Sequence, residues 1–487
     1  MKSLKFNTVL NSFRMTLTVL VPLITFPYTS RIFLTEGSGK INFIGSVIQI
    51  FTLFASLGFY TYGVREGAKV RDDREKFSKF GQELLFINII ATAVTYAVYL
   101  ACVFFLPLFR PYRTLLLIQG LTIGFAALSM DWVFGAFEDY YYITVRQIAC
   151  QIFTIASLFI FIHKSEDIYL YVFLNTLATA VSCTCSVIYS RKYLFYKPRK
   201  DFDYHIAIHL SPIFALFATS LAAKVYTNVD TILLGFMTAD HNVGLYSAAV
   251  KINTVLITFF AAMSPVFMPR IIGYIEKNDY DNYYSLLRRI LGVIVGLGLP
   301  AVVGIEILSD RIIRIIAEDS FAPAALTMRI LAPIILINAC VNVLYYDVLV
   351  LYKKEKKVLL CTVIGAATNL IISIILIPFF AENGAAIGSI ISEIITLLIA
   401  VFICVRLDKR IIKAIPRIRN YIIGGILIVA WCIFCMHFIE NLILQTLVAI
   451  IGSIGLYFLA LIVLKDFMGQ EIFKQGGKII KKVFKTR

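Results

Sequence analysis

Charge is scarce in this sequence. Asp, Glu, Lys and Arg make up 16% of the chain, well under the roughly 25% of ordinary soluble domains. No polar break between apolar runs is as large as a soluble domain, the longest being about 15 to 20 residues. That sets aside an enzyme acting on a soluble substrate, because little chain is left outside the apolar runs to build one. There is no G-x-x-x-x-G-K-[ST] phosphate loop, which excludes transport powered by ATP hydrolysis in this chain. The five histidines (His163, His205, His209, His241, His437) are scattered near the edges of apolar runs and show no metal-ligand spacing. The nine cysteines nearly all fall within apolar segments and read as small core residues. Cys432-x-x-Cys435 has redox spacing, but it sits in an apolar run without the βαβ context such a motif needs. Neither a metal nor a cofactor is called for. The first apolar stretch is too long, and too poor in a small-residue cleavage site, for a removable signal peptide, so it is expected to stay as a helix.

What the chain does have is apolar length. With 59% hydrophobic residues and a mean hydropathy of +0.83, it reads as an all-α polytopic membrane protein. About fourteen apolar stretches emerge, most near 20 residues long: 8–34, 41–63, 81–106, 112–137, 146–163, 168–190, 208–236, 243–269, 287–308, 325–351, 357–379, 384–405, 420–439 and 442–464. With a cytoplasmic N-terminus, every even-numbered stretch ends inside. That places the clusters Arg65/Lys69/Arg71/Arg74/Lys76/Lys79, Arg191/Lys192/Lys197/Arg199/Lys200, Lys353/Lys354/Lys356/Lys357 and Arg406/Lys409/Arg410/Lys413/Arg417/Arg419 on the cytoplasmic face, together with the Lys-rich tail. The opposite loops (TEGSGK, LFRPYR, HKSED, MTADHN, AENG) carry few cations. The net charge of +16 is thus topology and attraction to the anionic phospholipid bilayer, with no nucleic-acid partner required. In the tail, Ile479, Ile480, Val483 and Phe484 alternate with Lys478, Lys481, Lys482 and Lys485 as in an amphipathic basic helix on the inner leaflet; a solvated tail fits the same residues.

Ionisable residues inside the stretches stand out because each costs free energy there. Arg14 lies about 10 Å into the first stretch at 1.5 Å per residue. Pro22 and Pro27 follow and are expected to bend or open the helix, and Arg31 sits near its far end. Lys224 lies mid-way along the seventh stretch, Asp230 about 9 Å further outward, and Lys251 about 12 Å into the eighth. An Asp230–Lys251 ion pair tying these two helices is one reading. A water-filled cationic cavity accepting an anion, built on Arg14 and Lys224, is the other. Asp131, Asp347 and Glu393 are acids able to carry a coupling proton or pair with a cation. Around Asp131, Trp132 and Tyr140 to Tyr142 look like an interfacial aromatic belt, which favours a structural role. A short internal echo, EGSGKINFIGSVIQI against DHNVGLYSAAVKINT with Gly39 and Gly244 matched, suggests two six-helix halves and an extra C-terminal pair: residues 1–205, 206–405, and 406–487 with the tail.

The opening LNSFRMTLTVLVPLITFPYTSRIFLTEGSGKINFIGSVIQIFTLFASLGFYTYGVREGAK closely resembles the first two helices of Wzx-type polysaccharide repeat-unit flippases of the multidrug/oligosaccharidyl-lipid/polysaccharide superfamily. The likeness rests on the proline pair, P-Y-x-S-R ending at Arg31, the E-G-x-G turn at Gly39, and L-G-F-Y-x-Y-G-x-R-E. DWVFGAFEDYYYITVRQI, NVDTILLGFMTADHNVGLYSAAVKI, LRRILGVIVGLGLPAVVGI and GAATNLIISIILIPFFAENGAAIGSIISE look similar to the same family. The resemblance implies two six-helix lobes around a central cavity, followed by two further helices. It also implies translocation of an undecaprenyl-pyrophosphate-linked oligosaccharide (O-antigen, capsule or exopolysaccharide) across the bacterial inner membrane by alternating access, with both termini cytoplasmic and a polysaccharide polymerase and chain-length regulator as partners. Arg14, Arg31, Lys224 and Lys251 become the expected headgroup contacts, with Asp230 shaping the site. Of these, only Arg14 and Arg31 belong to the recognisable opening pattern. The competitors are a cation-coupled multidrug antiporter of the same superfamily, which would place acids in the first span, and a lipid II flippase. A membrane-embedded glycosyltransferase or polymerase would show a sizeable outer loop, and none is present.

Overall fold

A computed structural model of the chain describes residues 4–196, 204–416 and 418–470. Every regular element among them is helical: α1 (Leu4–Ser56), α2 (Phe59–Val70), α3 (Arg74–Phe105), α4 (Arg113–Ala126), α5 (Asp131–Ala136), α6 (Tyr140–Phe161), α7 (Ile168–Ser190), α8 (Ala207–Met237), α9 (Asp240–Ala261), α10 (Ser264–Glu276), α11 (Tyr280–Ala317), α12 (Ala324–Asn342), α13 (Glu355–Leu407), α14 (Arg419–Phe438) and α15 (Leu442–Val463), with short 3₁₀ turns and a π-helical stretch, Val343–Val350, continuing α12. Hydrocarbon offers the backbone no hydrogen-bond partners, and a helix satisfies its own. Large apolar side chains accordingly stand exposed on many helices, Phe105 (84%), Phe379 (78%) and Ile451 (68%) among them.

Among the described residues, ten helices are long and apolar enough to cross a membrane, or eleven if the two parts of a bent α8 count as one span. The expected fourteen is therefore not reproduced as a count. Two expected pairs fall within single long helices, each interrupted at one residue: α1 at Leu34 (φ 54°) and α13 at Ala381 (φ 46°). The stretch 112–137 divides into α4, of 14 residues, and α5, of 6. At Ala381 the chain doubles back. Asn369 Nδ2 donates to Ser389 Oγ at 3.2 Å, although 20 residues of straight helix would separate them by about 30 Å. The opening expected at the prolines is absent: dihedrals remain helical through Pro22 and Pro27, and Leu34 alone departs. Each proline removes one hydrogen bond, which a long helix flanked by intact turns absorbs.

The chain groups into two compact units, Met1–Gly244 and Leu245–Arg487. In the first, a core of Phe77, Phe80, Trp132, Phe134 and Tyr62 joins α2, α3 and α5. Trp132 is 6% exposed and meets Phe77 and Phe80 with ring centroids 5.7 and 5.8 Å apart. Tyr142 stacks on Tyr189 at 3.7 Å. Trp132, expected at the membrane interface, is instead buried among aromatic partners inside the unit. In the second unit, Tyr421, Cys432, Cys435, Tyr457 and Leu461 of α14 and α15 pack with Leu308 of α11.

The glycines of the internal echo lie against each other's segments. A Cβ on Gly39 would stand 1.8 Å from the Asp240 carbonyl oxygen, and one on Gly244 would stand 2.1 Å from that of Thr35. Thr35 Oγ1 and His241 Nδ1 close the corner at 2.7 Å, and the Tyr112 hydroxyl donates to Asp240 at 2.6 Å. Backbones approach this closely only where side chains are missing.

Candidate functional site

Lys224 lies on α8, between the segments Ala207–Ala222 and Thr227–Met237, which are inclined by 61°. Its half-buried ammonium donates to Gln49 Oε1 of α1 at 2.9 Å. The acceptor is an amide oxygen, which carries no formal charge of its own. Asn228 Nδ2, one turn on, donates to the Lys224 carbonyl at 3.1 Å. Asp230 is 6% exposed on the same helix. Arg14 lies on α1, and its side chain is outside the described residues. Arg31 is exposed, and its Nη1 donates to the Pro27 carbonyl at 2.9 Å. That bond folds the guanidinium back along its own helix. The amphipathic tail and Lys197/Arg199/Lys200 also lie outside the described residues.

In the second unit, Lys251 is half-buried on α9. Two residues on, Asn253 Nδ2 donates to the Met328 carbonyl of α12 at 3.3 Å. Asp347 is fully buried in the π-helical stretch, where its carbonyl accepts the Tyr283 hydroxyl at 3.0 Å. Glu393 of α13 is 5% exposed, and its Oε1 accepts from Asn338 Nδ2 of α12 at 3.2 Å. Asn338 Oδ1 in turn accepts from Asn342 at 2.8 Å.

Asp131 opens α5 in the first unit and takes Arg146 Nη2 at 2.6 Å, with the Ser186 hydroxyl at 3.3 Å. Glu138 pairs with Arg71 at 3.1 Å, and Asp139 accepts the hydroxyls of Tyr193 and Tyr189 at 2.8 and 3.0 Å. These contacts give the acids around α5 a structural occupation. Sequence reasoning missed Gln49 as the partner of Lys224, Arg146 as the partner of Asp131, and a buried acid–base chain linking Glu83, His209 and Tyr62. Only Glu83 left a signal, as an acid just inside the third apolar stretch.

Against known structures, the fold is that of a helical membrane transporter. The lipid II flippase MurJ in an inward closed conformation superposes with a TM-score of 0.72 at 16% identity, over 94% of this chain and 98% of that one. An inward-facing multidrug resistance MATE family transporter of the MOP superfamily superposes at 0.63 with 14% identity, over 84% of this chain and 99% of that one. The chain belongs to the polysaccharide biosynthesis protein family, whose profile matches residues 4–274; a MatE profile matches residues 215–375. Among curated proteins, one named as an O-antigen transporter from Escherichia coli (strain K12) is 21% identical over 374 residues, 76% of this chain and 88% of its own length. A protein named as a flippase for low-salt glycan biosynthesis, Agl15 of Haloferax volcanii, is 26% identical over 171 residues, 35% of this chain and 36% of its own length. The resemblance to Wzx-type flippases read from the opening residues therefore holds across family, relatives and fold.

Proposed function

We propose that this protein is a flippase carrying undecaprenyl-pyrophosphate-linked oligosaccharide repeat units from the cytoplasmic to the outer leaflet of a bacterial inner membrane, by alternating access, with both termini cytoplasmic. The observation that carries the reading is the family match over residues 4–274, the part of the chain that holds Arg14, Arg31, Lys224, Asp230 and Lys251. A pyrophosphate is a dense anion, and moving it through hydrocarbon is prohibitive unless fixed charge replaces its hydration. In this reading Arg14, Arg31, Lys224 and Lys251 meet the headgroup in turn. Asp230 tempers the site so that release stays possible, and the polyprenyl chain remains in lipid. Lys224 suits the role because it donates to the Gln49 amide, which a phosphate oxygen can displace. Residues 1–205 and 206–405 act as the two lobes and 406–487 as the added helices and tail. Asp347 and Glu393 are the remaining candidates for ion coupling, and a polymerase and chain-length regulator receive the product.

A drug-exporting role draws support from the MatE match, and a lipid II role from the MurJ-like fold. The cations of the opening helix weigh against the first, and relatives named for O-antigen and glycan translocation weigh against both. The test is reconstitution of the protein alone in vesicles with a lipid-pyrophosphate oligosaccharide, lipid II and an organic cation offered separately. The proposal requires movement of the first and little of the third.

A further inference from the structure

The inner segment of α8 is held by a set of groups that the headgroup site does not use. Glu83 of α3, His209 of α8 and Tyr62 of α2 are each 5% exposed. Glu83 Oε2 lies 2.9 Å from His209 Nε2, and the Tyr62 hydroxyl lies 2.8 Å from His209 Nδ1. Glu83 Oε1 accepts the backbone N–H of His205 at 2.7 Å, just ahead of the first turn of α8. Phe80 presents its ring edge-on to His209 at 5.5 Å and to Trp132 at 5.8 Å, closing the site with apolar surface.

The imidazole can hold one proton or two without losing either hydrogen bond. With one proton, Nε2–H donates to Glu83 and Nδ1 accepts from the tyrosine hydroxyl. With two, Nε2–H still donates to Glu83, and Nδ1–H donates to the tyrosine oxygen, whose own hydrogen turns away. The added proton is thus stored as an imidazolium against a carboxylate, with only the Tyr62 bond reversing its direction. The surrounding charges do not supply the balance. On α2, Arg65 lies 5.9 Å from the Tyr62 ring and pairs with Glu66 at 2.9 Å, while Lys69 holds the other Glu66 oxygen at 2.6 Å. On α3, Gln82 Oε1 accepts the Tyr204 hydroxyl at 2.6 Å, and on the approach to α8 the side chain of His205 is exposed. α5 contributes Trp132, which is neutral.

We propose that Glu83, His209 and Tyr62 form a proton-binding site that sets how tightly the inner end of α8, the helix carrying Lys224, is anchored to α2 and α3. Charge-assisted hydrogen bonds are stronger than neutral ones, so uptake of the proton tightens the anchor and its loss loosens it. The site goes beyond the flippase reading, because it needs no assumption about what is carried.

Hydrogen exchange of the amides of residues 205–211, in the purified full-length protein and corrected for intrinsic exchange, tests it without substrate. Protection in the wild type should rise about tenfold as pH falls from about 8 to about 5, the range in which imidazole titrates. His209→Gln should keep these amides insensitive to pH. Tyr62→Phe removes the oxygen that accepts the charged hydrogen bond of the doubly protonated ring, a stronger bond than the one it makes to the singly protonated ring, so its transition should persist and move to lower pH. A flat wild-type profile would overturn the site, as would a transition surviving in His209→Gln. If His209→Gln fails to fold, Tyr62→Phe decides, and an unmoved transition there is the negative result. Failure of vesicle transport alongside a normal exchange transition counts against the substrate assignment and leaves the proton site standing.

Discussion

Single side chains carry most of the chemistry proposed for this protein. A cation that contacts the pyrophosphate should contribute about 1.5 to 3 kcal/mol through charged hydrogen bonds. Lys224→Ala should accordingly slow translocation by about tenfold to a hundredfold with insertion into the membrane unchanged. Gln49→Leu, which removes the amide accepting from Lys224 at 2.9 Å, should give a smaller loss, read in the same vesicle assay. In the loop following α13, hydrogen bonds from the Arg410 guanidinium and from the hydroxyl of Tyr284 hold the Asp408 carboxyl down to about 2. A carboxyl lowered on folding stabilises the native state above its unfolded value near 3.9, and that contribution disappears as pH falls through about 2. Asp408→Asn should therefore unfold at lower temperature than the wild type at neutral pH, with the gap closing between about pH 4 and pH 2. An unchanged gap across that window would remove the carboxylate as the cause. The legible residues were those whose charge interrupts an apolar run, such as Arg14 and Lys224. His209 and Glu83 lie 126 positions apart, and no local spacing reveals a pair that only the packing of α3 and α8 creates.

Among the elements, two corners depend on glycine. In α13, a Cβ on Gly384 would come within 2.5 Å of the Leu376 carbonyl oxygen, and one on Gly388 within 2.3 Å of Ser373 Oγ. The small residues of GAAIGSIISE thus permit a close helix approach. In the first unit, Gly39 and Gly244 abut backbone atoms, which cannot swing aside as a side chain can. Gly39→Ala and Gly244→Ala should each destabilise the protein by about 1 to 3 kcal/mol or more through overpacking, seen as a lower melting temperature or poor yield in detergent. Gly124→Ala is the control, since a Cβ there meets nothing within 4 Å. Equal losses at all three glycines would refute the close-packing argument. The echo of EGSGK and DHNVG made the two glycines visible in the sequence, but as separate turns. Their mutual packing depends on α1 meeting the first turns of α9, which hydropathy does not encode. The break at Leu34 was likewise illegible: proline announces itself in a sequence, and a leucine with positive φ does not.

For the whole molecule, apolar length and cation placement read through to the helical membrane fold, because hydrocarbon constrains the chain more severely than water does. The number of spans was less legible than their existence. Hydropathy sees neither a reversal within a continuous helix, as at Ala381, nor a run too broken to cross as one piece, as at α4 and α5. The anionic lipid headgroup proposed from the family match and the cations of α1 and α8 is open to a direct trial. Purified protein is placed alone in vesicles carrying a lipid-pyrophosphate oligosaccharide in one leaflet, and its appearance in the other is followed for the wild type, Arg14→Ala and Lys224→Ala. The account predicts transfer by the wild type and severe impairment in both variants at equal levels of insertion. Transfer at the wild-type rate in both variants, or none by the wild type, would contradict it.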